Sequence, residues 1–180
     1  MTRVTSSILR KLEGGDRRSI GRSNDVVADV LGKPTLFGAL FAGLSVEDPV
    51  VQARAADAVE KITVVHPEYL QPYTSNLIGP LAACDQKEVR WHVAQMLPRV
   101  RWRSREQQRV AQILQGYLRD FSSIVKTCAM QALADLTRQA PDLRPALLRQ
   151  LQKLTVSGTS VMRARGRKLL AELKDSDRAT

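Results

Sequence analysis

Four stretches of the chain repeat one spacing of apolar and small residues, and this repeat constrains the fold more than any other feature. In each stretch an apolar residue is followed by small or apolar residues 4, 7, 8 and 11 positions later. These offsets fall on one stripe of an α-helix, so each stretch is predicted to form an amphipathic helix with one buried face. The stretches begin 38, 36 and 37 positions apart, at Val51, Val89, Val125 and Met162.

The position four residues after the start of a stripe is small in three of the four repeats. These residues are Ala55, Ala129 and Gly166. The distance between two packed helix axes depends on the side chains at their contact, so this position is predicted to be where a neighbouring helix approaches closely.

Prolines and aspartates divide each repeat into two helices. Pro67 and Pro141 each lie sixteen positions after the first stripe residue of their repeat, and proline in a first turn favours the start of a helix. Aspartates stand where second helices begin, as N-cap or turn residues, at Asp48, Asp85 and Asp120. The pattern predicts first helices near residues 34–44, 69–83, 104–119 and 142–156, and second helices near residues 48–64, 86–100, 121–139 and 160–174.

The helix pairs predict an all-α fold. Residues 34–175 are expected to form one domain of about four helix pairs, stacked as a solenoid. Residues 1–33 are expected to add two shorter helices around the flexible stretch "GGDRRSIGRS", which would cap the end of the stack. Residues 176–180 would form a tail.

The composition fits a packed helical protein and offers no catalytic signature. Charged residues make up 26% of the chain and hydrophobic residues 43%, which is ordinary for a folded domain. The sequence contains no Gly-rich phosphate loop and no HExxH, GxSxG or EF-hand pattern. The chain is therefore expected not to be an enzyme and to need no metal or cofactor.

The sequence also lacks the usual features of secreted and membrane-spanning chains. Its first residues are polar rather than signal-like, and no run approaches the roughly 20 apolar residues of a membrane span. Its two cysteines, Cys84 and Cys128, form no CxxC motif. We expect a cytoplasmic monomer with free thiols and no membrane partner.

The net charge of +10 is unevenly distributed along the chain. Residues 85–180 contain nineteen basic and nine acidic side chains, whereas residues 23–84 contain three basic and seven acidic ones. A basic half of this kind would attract polyanions or acidic proteins, although basic residues also serve simply as a solvated surface.

The second helices resemble the HEAT-repeat pattern, in which a turn Asp precedes Val-Arg and then small residues and Leu. The matching segments are "DPVVQARAADAVEKI", "KEVRWHVAQML", "SSIVKTCAMQAL" and "SVMRARGRKLL". The resemblance covers residues 34–175, with departures at Gln52, where Arg is usual, and at Gly166, where Ala is usual. It implies a right-handed α-solenoid that serves as a scaffold or adaptor, and some relatives of this family bind nucleic acid.

The resemblance also implies that the second helices line a concave groove. Equivalent positions on them carry mostly basic residues, some of which the family pattern would pair with the turn Asp of a repeat. We predict a concave basic strip made by Arg54, Arg90, His92, Lys126, Arg163, Arg165, Arg167 and Lys168.

A second candidate surface is the connector "RVRWR" and its flanks. Phosphate binding to single strands uses Lys or Arg beside an aromatic ring, and this connector offers both. Alternatively, the arginines of the connector are solvated surface residues and its tryptophan is buried between helices. The predicted contact residues are Arg99, Arg101, Trp102, Arg103 and Arg105.

His92 and Cys128 occupy the same repeat position on successive second helices. Such a pair could serve as base and nucleophile or as two metal ligands. No third orienting residue accompanies them, and cysteine on a helix face of small residues is usually a packing residue.

These observations predict a non-enzymatic binding or scaffold module whose partner is an acidic protein segment. The alternative is a nucleic-acid-binding protein, within which HEAT-like alkylpurine DNA glycosylases combine a basic concave surface with aromatic residues. No catalytic acid of that family can be placed in this sequence.

Overall fold

The computed structural model describes residues 7–16 and 19–178, and within these residues all regular secondary structure is helical. The chain divides into two compact units, residues 1–100 and residues 101–180. The all-α prediction is confirmed. None of the described helices is both long and apolar enough to cross a membrane.

The first unit is organised around one long helix, α4 (Pro49–Val65), which packs against α2 (Ser23–Gly32) and α6 (Lys87–Met96). Short 3₁₀ turns extend several of the helices, and Pro67–Tyr73 is a 3₁₀ segment that leads into α5 (Thr74–Ile78). The helices are α1 (Ser7–Arg10), α2 (Ser23–Gly32), α3 (Phe37–Ala42), α4 (Pro49–Val65), α5 (Thr74–Ile78) and α6 (Lys87–Met96).

The second unit contains two helix pairs. The first pair is α7 (Ser104–Tyr117) and α8 (Ser123–Leu136), and the second is α9 (Arg144–Ser157) and α10 (Ser160–Arg178). Helix α7 packs on α8, and α10 packs on both α9 and α8. All four helices lie where the repeat pattern predicts them, to within a few residues at each end.

The predicted stripes form the core of both units. Every stripe residue is buried except Leu170, which is half-buried. The small residues four positions into a stripe also lie at close contacts. A Cβ atom on Gly166 would come within 2.7 Å of Thr155 Cγ2 on α9, and a Cβ atom on Gly43 would lie 2.9 Å from Ala55 Cβ.

The aspartates before the second helices have different roles. Asp48 caps α4, because its carboxylate accepts from the backbone N–H groups of Val50 (2.8 Å) and Val51 (3.2 Å). Asp120 is a turn residue whose carboxylate accepts from Ser122 N at 2.7 Å, and Ser122 is the N-cap of α8. Gln86, rather than Asp85, occupies the N-cap position of α6.

The helix predicted over residues 69–83 is shorter in the structure. Residues 67–73 form a 3₁₀ segment with Pro72 inside it, and α5 ends at Ile78. Proline lacks the N–H that an α-helix requires, and Pro80 follows two residues after the end of α5. A helix is present in the predicted region, but the prolines make it shorter than predicted.

Candidate binding surface

Arg54 is buried, with 5% of its surface exposed. Its guanidinium donates to backbone carbonyls of the segment that follows α1: Leu12 O at 2.8 Å, Glu13 O at 3.4 Å, Gly14 O at 2.7 Å, Asp16 O at 3.1 Å and Ser19 O at 3.0 Å. The prediction that Arg54 lies on an open binding strip is therefore wrong. Its charge holds a loop against α4.

Glycines let this loop bend around the guanidinium. Gly14, Gly15 and Gly21 all have positive φ, at 74°, 75° and 52°. That conformation is costly for residues with a Cβ atom. The backbone carbonyls can therefore converge on one cation, and a buried cation surrounded by acceptors avoids most of the desolvation penalty of an unpartnered charge.

The basic connector contributes fewer exposed groups than the sequence suggested. Arg99 forms an ion pair with Glu60, and its guanidinium also donates to Glu60 O at 2.7 Å and to Thr63 Oγ1 at 3.1 Å. It is a structural residue of the first unit. Trp102 is only 6% exposed, and its backbone carbonyl accepts from the Gln107 side chain at 3.2 Å.

Trp102 therefore does not present a ring face on which a base could stack, and this part of the connector prediction is wrong. The remaining basic side chains of the connector are exposed: Arg101, Arg103 and Arg105.

His92 is half-buried on α6, and its Nδ1 atom is buried without a hydrogen-bond partner among the described residues. The Trp91 ring lies edge-on, with a centroid separation of 5.6 Å. Burial lowers the pKa of His92 below its ordinary value, and the nearby carboxylates of Asp57 and Glu60 offset part of this effect. His92 belongs to the first unit and Cys128 to the second, so their pairing stays a prediction.

Arg90 and Lys126, the other strip residues outside α10, are each half-buried on their second helices. Arg90 lies in the first unit and Lys126 in the second. Within each unit, neither forms an extended basic row with its neighbours along the helix.

The predicted strip residues of α10 form two rows rather than one. Arg163 and Arg167 are four positions apart and share one flank of the helix, whereas Arg165 and Lys168 share the other flank. The exposed Ala164 lies between the two rows. A single strip made by all four residues is therefore wrong.

The flank of Arg165 and Lys168 faces a mixed-charge surface. Lys168 lies 3.9 Å from Glu172, and Glu172 also lines a cleft of about 160 Å³ between α10 and α8. The other charged residues of this cleft are Asp135, Arg138 and Arg144. Two carboxylates beside two guanidinium groups leave this side of the second unit far less basic than predicted.

An open groove of about 620 Å³ lies between α7 and α9, on the first helices of the two pairs. Its lining combines amides, two cations and small apolar patches, and none of its described lining residues is acidic. The lining residues are Gln112, Gln115, Leu118 and Arg119 on the α7 side, and Ala146, Gln150, Lys153 and Leu154 on α9.

The polar residues of this groove recur at the repeat spacing on the first helices. Gln112 and Gln150 are 38 positions apart, as are Gln115 and Lys153. This separation matches the period of the stripes, so equivalent polar residues of two first helices are placed side by side. The predicted binding strip followed only the second helices and therefore missed these residues.

No family model matches the chain, and no curated protein matches it. Among solved structures, it is similar to the crystal structure of an engineered protein determined by the Northeast Structural Genomics Consortium, with a TM-score of 0.62. The two sequences are 19% identical, and the match covers 93% of this chain and 78% of the other. At this identity the similarity concerns the helical fold alone.

Proposed function

We propose that the chain is a HEAT-like repeat protein, a right-handed α-solenoid that acts as a non-enzymatic binding module. The proposal is supported by the near-constant spacing of the four stripe helices and by the first helix that precedes each of them. Proteins of this kind use extended surfaces rather than closed pockets.

The partner proposed for this module is an acidic protein segment. The observation that carries the proposal is the charge of the second unit, whose 80 residues include sixteen Lys and Arg but only seven Asp and Glu. Many of these cations are exposed on α7, α9 and α10, including Arg109, Arg149 and Arg167. A field of one sign raises the rate at which a partner of opposite charge associates.

An acidic protein is favoured over nucleic acid by the state of the aromatic residues. Single-strand binding relies on a series of exposed rings on which successive bases stack. Of the three aromatic side chains of the second unit, Trp102 and Tyr117 are buried and Phe121 alone is exposed. The exposed large apolar residues of the second unit are instead aliphatic, apart from Phe121, and they include Ile124, Val156 and Val161. A basic surface beside exposed aliphatic side chains suits an acidic segment that also carries apolar residues.

The test compares two classes of ligand at several salt concentrations. A fluorescein-labelled synthetic peptide that alternates acidic and apolar residues is titrated with the full chain, beside labelled single-stranded and duplex DNA. We expect saturable peptide binding that weakens with salt and survives competition by DNA. Absence of peptide binding would overturn the proposal. Binding to DNA alone, with log affinity falling by about 0.9 per phosphate contact for each tenfold rise in salt, would support the nucleic-acid alternative.

A further inference from the structure

We propose that the groove between α7 and α9, rather than the faces of α8 and α10, is where the acidic segment binds, in an extended conformation. This inference rests on the proposed function and specifies its site. The predicted strip on α10 is divided into two rows, and the cleft beside it contains Asp135 and Glu172. The α7–α9 groove has no carboxylate among its described lining residues.

The amides of the groove match the backbone of an extended peptide. Gln112 and Gln115 lie on one wall and Gln150 on the other. Each glutamine side chain carries two N–H donors and one carbonyl acceptor. Such groups can pair with both the carbonyl and the N–H groups of a peptide that is not already in a helix, so they favour an extended segment over a preformed helix.

The cations of the groove would bind the acidic side chains of the segment. Arg119 follows the end of α7 by two positions, and Lys153 lies near the end of α9. The exposed faces of the same two helices add Arg105, Arg109 and Arg149. An Arg can hold a carboxylate with two parallel hydrogen bonds, so Arg119 is the strongest candidate for a direct contact.

Exposed apolar residues close in sequence to Arg119 and Lys153 suggest that the segment also carries an apolar side chain. Phe121 is fully exposed two positions after Arg119, and Val156 is 80% exposed one helical turn after Lys153. Leu118 and Leu154 line the groove itself. Burial of such residues by a partner would add affinity that salt does not screen.

The experiment uses two double variants with the same change of net charge in the full chain. Arg119→Glu with Lys153→Glu alters the groove, whereas Arg167→Glu with Lys168→Glu alters α10. The probe is the labelled peptide of alternating acidic and apolar residues, with dissociation constants measured by fluorescence anisotropy. We expect the groove variant to lose at least about 30-fold in affinity and the α10 variant to lose no more than about 3-fold.

A variant with unchanged net charge measures the contribution of the glutamine amides separately from that of the cations. Gln112→Ala with Gln150→Ala keeps the net charge, and we expect it to weaken peptide binding about 5-fold or more. A poly-glutamate peptide without apolar residues should bind the wild-type chain more weakly than the alternating peptide does. Thermal unfolding followed by circular dichroism establishes that each variant is folded.

The outcomes distinguish the site from the function. Equal losses from the two charge variants, with no effect of the glutamine variant, would mean that the general field attracts the peptide, and would overturn the groove while leaving the proposed function in place. Failure of the wild-type chain to bind either peptide would overturn both. Binding to vesicles containing anionic lipid that the groove variant abolishes, without peptide binding, would show that the surface serves a membrane instead.

Discussion

The guanidinium of Arg54 fills the space beside Gly21, where a Cβ atom would lie 2.6 Å from Arg54 Cζ. Gly21 also has a φ of 52°, in the left-handed region. The two residues depend on each other, since the loop can close over the guanidinium only if position 21 lacks a side chain. The loop in turn supplies the carbonyls that compensate Arg54 for its lost hydration.

The substitution Gly21→Ala should therefore lower the free energy of unfolding by about 2–3 kcal/mol, measured by chemical denaturation. Two controls separate the causes. Gly14 has a positive φ but open space around it, so Gly14→Ala should lower the free energy of unfolding by only about 1 kcal/mol. Gly32 has neither a positive φ nor a close neighbour, so Gly32→Ala should be neutral or slightly stabilising. Equal losses of stability in Gly14→Ala and Gly21→Ala would show that the close contact between position 21 and Arg54 does not contribute to the effect.

The substitution Arg54→Lys should destabilise the first unit although it keeps the charge. An ammonium group cannot reach acceptors spread from Leu12 to Ser19, so several carbonyls would lose their donor. We expect a loss of about 2–3 kcal/mol. Hydrogen exchange should also accelerate at Glu13 N and Ser19 N, which donate to Arg10 O at 3.3 Å and to Asp16 O at 3.1 Å. Arg163→Lys, at an exposed position, should change stability by less than about 0.5 kcal/mol.

Two glycines of the second unit should respond in opposite directions when changed to alanine. Gly116 lies in α7 with nothing within 4 Å of the place that a methyl group would take, whereas at Gly166 the methyl group would lie 2.7 Å from Thr155 Cγ2. Gly116→Ala should raise stability by about 0.5–1 kcal/mol through helix propensity. Gly166→Ala should lower it by about 1–2 kcal/mol, because overpacking outweighs the same gain. Thermal unfolding of both variants checks this, and a stabilising Gly166→Ala would mean that α9 and α10 are not tightly packed there.

The second helices could be predicted from the sequence because their buried stripes have the period of a helix and because Asp48–Pro49 is a strong start signal. The period of the apolar residues depends only on which face of the helix is buried, so it is the same in repeats whose individual residues differ. The short length of α5 was not predicted, because the prediction over residues 69–83 did not take account of Pro72 and Pro80, which limit the helix.

The candidate site was less predictable, because the sequence does not show which groups surround a charged residue in the folded chain. Arg54 and Arg165 occupy the same place in the repeat pattern, three positions after the start of a stripe. Arg54 is nevertheless enclosed by carbonyls from a loop 35 to 42 positions away, whereas Arg165 is only half-buried. The groove between α7 and α9 depends on which helices lie side by side. That information appears only when the residues of the first helices are aligned at the repeat spacing.

The stability of the first unit should fall as the pH drops below about 6.5, in part because of His92. Burial lowers the pKa of His92, so in this range the unfolded chain binds a proton that the native state resists, and the free energy of unfolding decreases with falling pH. The groups around it are mixed, with Asp57 and Glu60 favouring the charged form and Lys61 and Arg99 opposing it. His92→Gln should therefore flatten the pH dependence of stability in the range below about pH 6.5, the ordinary pKa of histidine. The chain has only one other histidine, His66, so a slope that persists in His66→Gln but not in His92→Gln assigns the effect to His92. An imidazole titration of His92 with a midpoint above the ordinary value of about 6.5 would contradict it, because protonation would then stabilise the folded unit.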